Sequence, residues 1–167
     1  CPLYYPPLSI YSIYSSSMYL LFNEPASTHI YTLSLHDALP IYMDNLKELC
    51  TNVLQRVRDH FGRVVSISSG YRSPELCEAI GSSKTSQHAK GQAADFEIHG
   101  ISNAELVKWI SEHCEWDQMI LEFHNVDEPN SGWVHCSYRS DGENRKQILR
   151  AYKNESNKTC YESYTPS

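Results

Sequence analysis

Two short segments constrain this chain more than anything else in it: Ser86-Gln87-His88-Ala89-Lys90-Gly91-Gln92-Ala93-Ala94-Asp95 and, forty residues later, Trp133-Val134-His135. A histidine and an aspartate stand seven apart with small residues between them. A second histidine lies on a hydrophobic, strand-like segment. A fold that uses all three has to bring a loop and two strands to one point. Two imidazoles and a carboxylate can hold zinc while leaving a fourth position open, and an open position is what separates a catalytic zinc from a structural one. Spacing alone leaves two readings of equal weight: a zinc site, or ordinary structural histidines.

From residue 44 the pattern around these segments is regular. Leu46, Leu49, Cys50, Val53, Leu54, Val57 and Phe61 recur at spacings of three and four, which predicts a helix capped by Asp44 and ended by Gly62. Val64 to Ser68 is short and β-branched and reads as a strand. Ser73 caps a short helix with Pro74 in its first turn. Ala93 to Ile98 is a second strand, and Ser102-Asn103-Ala104-Glu105 is a capping box that opens a further helix. Gln118 to Phe123 and Trp133 to Tyr138 are two more strands. In the last of these His135 shares a face with Trp133 and Ser137, while Val134 and Cys136 face the core. Residues 145–152 fit a strand or a helix, and the polar tail from Lys153 is expected to fray. The order predicts an α+β domain with a small, mostly antiparallel sheet flanked by helices.

Residues 1–42 differ in kind. They hold seven of the twelve tyrosines and five of the eight prolines, and no glycine, lysine or arginine. Ser and Tyr interrupt every apolar run, so neither a secretory signal nor a membrane span is legible. Residues 31–41 resemble translated sequencing-adapter DNA. The expected organisation is therefore a non-native or disordered leader at 1–42, a domain at 43–152 starting at Met43, and a polar tail at 153–167. The formal charge is −6 and no basic face is clustered, which argues against nucleic acid as a partner. The six cysteines form no C-x-x-C pair and read as reduced, buried thiols. A monomer without stable membrane association is expected.

Three motifs in order carry a family resemblance: Ser68-Ser69-Gly70-Tyr71-Arg72-Ser73, then Ser86-x-His88-x-x-Gly91-x-Ala93-x-Asp95-Phe96, then Trp133-Val134-His135-x-Ser137-Tyr138. Together they resemble the zinc D-alanyl-D-alanine carboxypeptidases, a family that includes vancomycin-resistance enzymes and phage endolysins and shares its fold with the hedgehog signalling domain. The resemblance spans residues 44–152. It implies a hedgehog/DD-peptidase-like fold and one zinc ion held by His88, Asp95 and His135. It also implies hydrolysis of peptidoglycan stem peptides by zinc-activated water, as a carboxypeptidase or an endolysin-type endopeptidase. Such an enzyme is either a phage protein made in the bacterial cytoplasm and acting on the wall, or an exported bacterial one.

Arg72 is expected to hold the substrate through its guanidinium fork. Ser86, and with it Gln87, is a candidate for hydrogen bonds to ligands or substrate, and Tyr71 and Trp133 for walls of the cleft. Many family members carry an acid three positions before the last histidine, where this chain has Gly132. Glu122 is the expected substitute as general base, ahead of Asp117, Glu97 and Asp127. The missing acid also leaves open a non-catalytic, zinc-stabilised binding or virion domain of the same fold.

Overall fold

A computed structural model describes residues 42–166. The expected leader lies outside these residues but for Tyr42, which is helical. Helix α1 runs over residues 42–61, with a π-helical turn at Cys50–Leu54 and a last segment Gln55–Phe61. Asp44 does not cap it. That residue lies inside the helix and pairs with Lys47 at 3.1 Å. The predicted apolar stripe is buried from Leu46 to Val57, and Gly62 closes the helix in the left-handed region at φ 59°, where a residue without a Cβ carries no steric penalty.

Strand β1 (Ser66–Ser69) leads to α2 (Pro74–Ala79), whose cap is the Ser73 hydroxyl accepting from the Leu76 N–H. A 3₁₀ turn (Gln87–Lys90) then precedes β2 (Ala93–Glu97). Helix α3 (Asn103–His113) is capped by Ser102, which accepts from the Glu105 N–H as its capping box predicts. Strands β3 (Gln118–Glu122), β4 (Trp133–Ser137), β5 (Gln147–Lys153) and β6 (Thr159–Ser163) complete the chain.

The architecture is α+β. The sheet is mixed, in the order β1-β2-β4-β3-β5-β6. Four of its pairings are antiparallel, and β5 runs parallel to β3. The hairpin β3–β4 uses one edge of β3, so the returning chain covers the other edge in the same direction. The stretch 145–152, which fits two states by pattern, thus yields a strand, Gln147–Lys153. The expected frayed tail holds β6 instead, paired to β5 from Leu149↔Ser163 to Lys153↔Thr159. Its side chains are largely exposed, so it lacks the alternating burial that makes a strand readable.

One face of the sheet builds the core. Phe96, Met119, Leu121, Val134 and Cys136 pack with Leu46, Leu49, Val53 and Val57 of α1 and Leu106, Val107 and Ile110 of α3. Cys136 is a core thiol as predicted, and Cys50, Cys77, Cys114, Cys136 and Cys160 are unpaired. Burial pushes the Cys50 thiol up to about 12, which leaves it inert. No helix among the described residues is long and apolar enough to cross a membrane. The opposite face of the sheet bears Asp95 and His135 and opens into a cavity.

Candidate metal centre

The register of the sheet brings two distant residues side by side. Asp95 on β2 pairs directly with His135 on β4. His88 comes from the 3₁₀ turn just before β2, where Ser86 caps the turn by accepting from the His88 N–H at 3.3 Å. Gly91 ends that turn at φ 68°, and a Cβ there would lie 2.5 Å from the Tyr42 carbonyl oxygen. The glycine therefore serves the turn and its packing on α1. Ala94, further along in β2, faces the core.

His88, Asp95 and His135 each offer one ligand atom within 4.8 Å of the others, and could together hold a metal ion. All three are buried, with 2%, 5% and 7% of their surfaces exposed. The protons available to them decide what they can hold. His88 Nδ1–H donates to the Gly70 carbonyl at 2.7 Å. A neutral imidazole has one N–H, so Nε2 is left as a lone pair. It faces Asp95 Oδ1 at 3.2 Å and His135 Nδ1 at 3.1 Å. His135 Nδ1 is itself 2.9 Å from the same carboxylate oxygen.

Burial favours the neutral form of His88. Burial opposes the charge on Asp95, but the facing imidazoles outweigh it and hold that carboxyl well below the usual carboxylate range. Three potential ligand atoms thus crowd one buried point. Two nitrogens and an oxygen, with a backbone carbonyl fixing one imidazole from behind, suit a zinc ion.

Arg72 follows β1 and closes one side. Its Nε–H donates to the Ser69 hydroxyl at 2.7 Å, and one Nη–H donates to Asp95 Oδ2. The guanidinium expected to hold substrate also touches a candidate metal ligand. The site opens into a cavity of about 650 Å³, lined by Arg72, Ser86, Glu122, Trp133 and His135 among others. Trp133 has a buried indole N–H with no acceptor among the described residues. Tyr71 is not in this lining; it packs against the core and stacks on Tyr42 with ring centroids 5.0 Å apart.

Glu122 stands opposite Trp133 on the strand next to His135, as the antiparallel expectation for these strands had it. Its carboxyl is half-buried and raised, first by burial and then by the charge of Asp95, against the pull of His135 and Arg72. The other acids considered are placed differently. Asp117 is fully buried and accepts from Arg145 and from Gln87 Nε2 at 2.8 Å, so its oxygens are committed. Gln87 thus bonds to Asp117 and to Arg145. Glu97 and Asp127 are exposed and outside the lining.

Among the lining residues that the sequence did not point to is Tyr161 on β6. Its signal is a tyrosine in a polar stretch, which does not register without the strand pairing. A family model described as Peptidase M15 matches residues 27–137. A comparison with the curated proteins finds no match.

Proposed function

The chain belongs to the peptidase M15 family, the zinc D-alanyl-D-alanine carboxypeptidase family its motifs resemble, and from that premise we propose that it is a zinc metallopeptidase cleaving peptidoglycan stem peptides next to a D-amino acid. The observation that carries this reading is the convergence of His88, Asp95 and His135 at the floor of a cavity that also presents Glu122. His88, Asp95 and His135 would hold one zinc ion. When bound, such an ion polarises a carbonyl and makes a water acidic near neutral pH.

The chain's own residues supply the rest. Glu122 takes the proton of the attacking water on a carboxylate oxygen as the new C–O bond forms. It then gives that proton to the leaving amine as the C–N bond breaks. A carboxyl raised toward neutral pH suits both halves of that exchange. Arg72 has five N–H donors, two of which serve Ser69 and Asp95; the others would hold a substrate carbonyl or carboxylate. Ser86 positions His88 through the cap of the 3₁₀ turn.

The hedgehog/DD-peptidase type of architecture accords with an α+β fold whose sheet bears Asp95 and His135 side by side. Carboxypeptidase and endopeptidase action would use the same machinery, and a phage endolysin or an exported wall enzyme would both meet this substrate. A non-catalytic, zinc-stabilised domain is the reading that Gly132 favours. The raised Glu122 carboxyl in the same cavity weighs against it. Digestion of purified peptidoglycan with and without chelator tests the choice: zinc-dependent release of stem-peptide fragments supports the peptidase, and none from zinc-loaded protein refutes it.

A further inference from the structure

The open face of the sheet carries two rows of side chains. One row is Asp95, His135, Ile120 and Leu149, in register on β2, β4, β3 and β5. The next row, two residues along each strand, is Trp133, Glu122, Ala151 and Tyr161 on β4, β3, β5 and β6. Paired residues project from the same face, so members of a row are neighbours. With strands about 4.8 Å apart, the Tyr161 backbone stands about 10 Å from that of Glu122. Only Ala151 lies between them in the row, and its methyl group is buried outside the main core cluster.

Tyr161 lines the same cavity as Glu122, Trp133 and His135, and keeps 57% of its surface open. Its phenol is raised by burial and, next, by the Glu122 charge, which places the two groups within electrostatic reach. The rest of β6 is polar, with Glu162 paired to Arg150 at 2.7 Å. A large aromatic that keeps more than half its surface open beside this cavity is accessible to a ligand bound there.

We propose that Tyr161 is a substrate-contacting residue whose ring forms the cleft wall opposite Trp133 and packs on the peptide lying over Glu122. This rests on the peptidase reading. Trp133 and Tyr161, at the two ends of one row, bracket the general base and set the path of the substrate chain between β4 and β6. The contact is made in the bound state and the transition state alike, so it acts on substrate affinity more than on turnover.

The test is steady-state kinetics of zinc-loaded wild type, Tyr161→Ala and Tyr161→Phe on a soluble stem peptide, with zinc content and circular dichroism recorded for each. Tyr161→Ala should raise KM about tenfold, with the loss falling in KM rather than kcat, and Tyr161→Phe should recover most of it. An unchanged KM in Tyr161→Ala, or a KM in Tyr161→Phe as high as in Tyr161→Ala, would overturn the contact while leaving the peptidase reading intact. A wild type that cleaves no stem peptide would overturn both.

Discussion

The carbonyl oxygen of Glu122 occupies the space that a side chain at position 132 would need: a Cβ on Gly132 would lie 1.8 Å from it, and 2.8 Å from the carbonyl carbon of Phe123. Gly132 also sits at φ 69°. An acid three positions before His135 is therefore excluded by the backbone of the residue that takes its part. Gly132→Glu should not rescue Glu122→Gln. Gly132→Ala should itself destabilise the protein by about 2–4 kcal/mol, from left-handed strain and overpacking, as read by urea unfolding. A Gly132→Ala protein as stable as wild type would show that the hairpin relaxes freely.

Glu122→Gln should keep zinc and lose about 10²–10⁴-fold in kcat. The sign of the pH dependence follows from the raised carboxyl. Burial, then Asp95, favours the protonated form, and the base works only when ionised. Activity should therefore rise with pH as this carboxyl ionises, and Glu122→Gln should lose that limb. A fully active Glu122→Gln assigns the base elsewhere.

The core cluster includes none of the three candidate ligands, so chelated protein should keep its helices and sheet by far-ultraviolet circular dichroism. Added zinc should then raise the melting temperature, since about 100-fold excess over Kd contributes about 2.7 kcal/mol. His135→Ala should abolish that shift. A shift of full size in His135→Ala would place the ion at other ligands.

Asp117 carries a separate pH signature. Burial works to raise its carboxyl, but hydrogen bonds from Arg145 and Gln87 dominate and hold it low. A depressed carboxyl contributes stability that is present above its unfolded pKa and is lost as pH falls through the folded value. Stability should thus decline on the acid side of the usual carboxylate range. Asp117→Asn should cost about 1–3 kcal/mol at neutral pH and flatten that decline. An Asp117→Asn protein with the wild-type acid limb would remove Asp117 from the account.

What was legible in the sequence follows how local each signal is. The stripe from Leu46 to Val57 and the caps at Ser73 and Ser102 depend on neighbours within a turn, and they stand as read. His88, Asp95 and His135 were legible as a set because chemistry restricts which residue types hold a metal. That they meet depends on the β2–β4 register, which spacing does not supply. The parallel β5, the strand β6 and the cavity position of Tyr161 were not legible, because their largely half-buried or exposed side chains leave no periodic trace. Tyr71 read as a cleft wall from its motif, yet it turns to the core and Tyr42. Gly91 and Gly132 read as small residues; their reasons are backbone contacts with Tyr42 and Glu122 that only the tertiary structure creates.

The central claim is that His88, Asp95, His135 and Glu122 form one hydrolytic site. Its most direct measurement is digestion of defined muropeptides by zinc-loaded protein, with products identified by mass. The account predicts a stem-peptide product whose mass marks one cleaved peptide bond, lost with chelator and lost in Glu122→Gln at unchanged zinc content. Intact muropeptides after incubation with protein carrying one zinc per chain would contradict it.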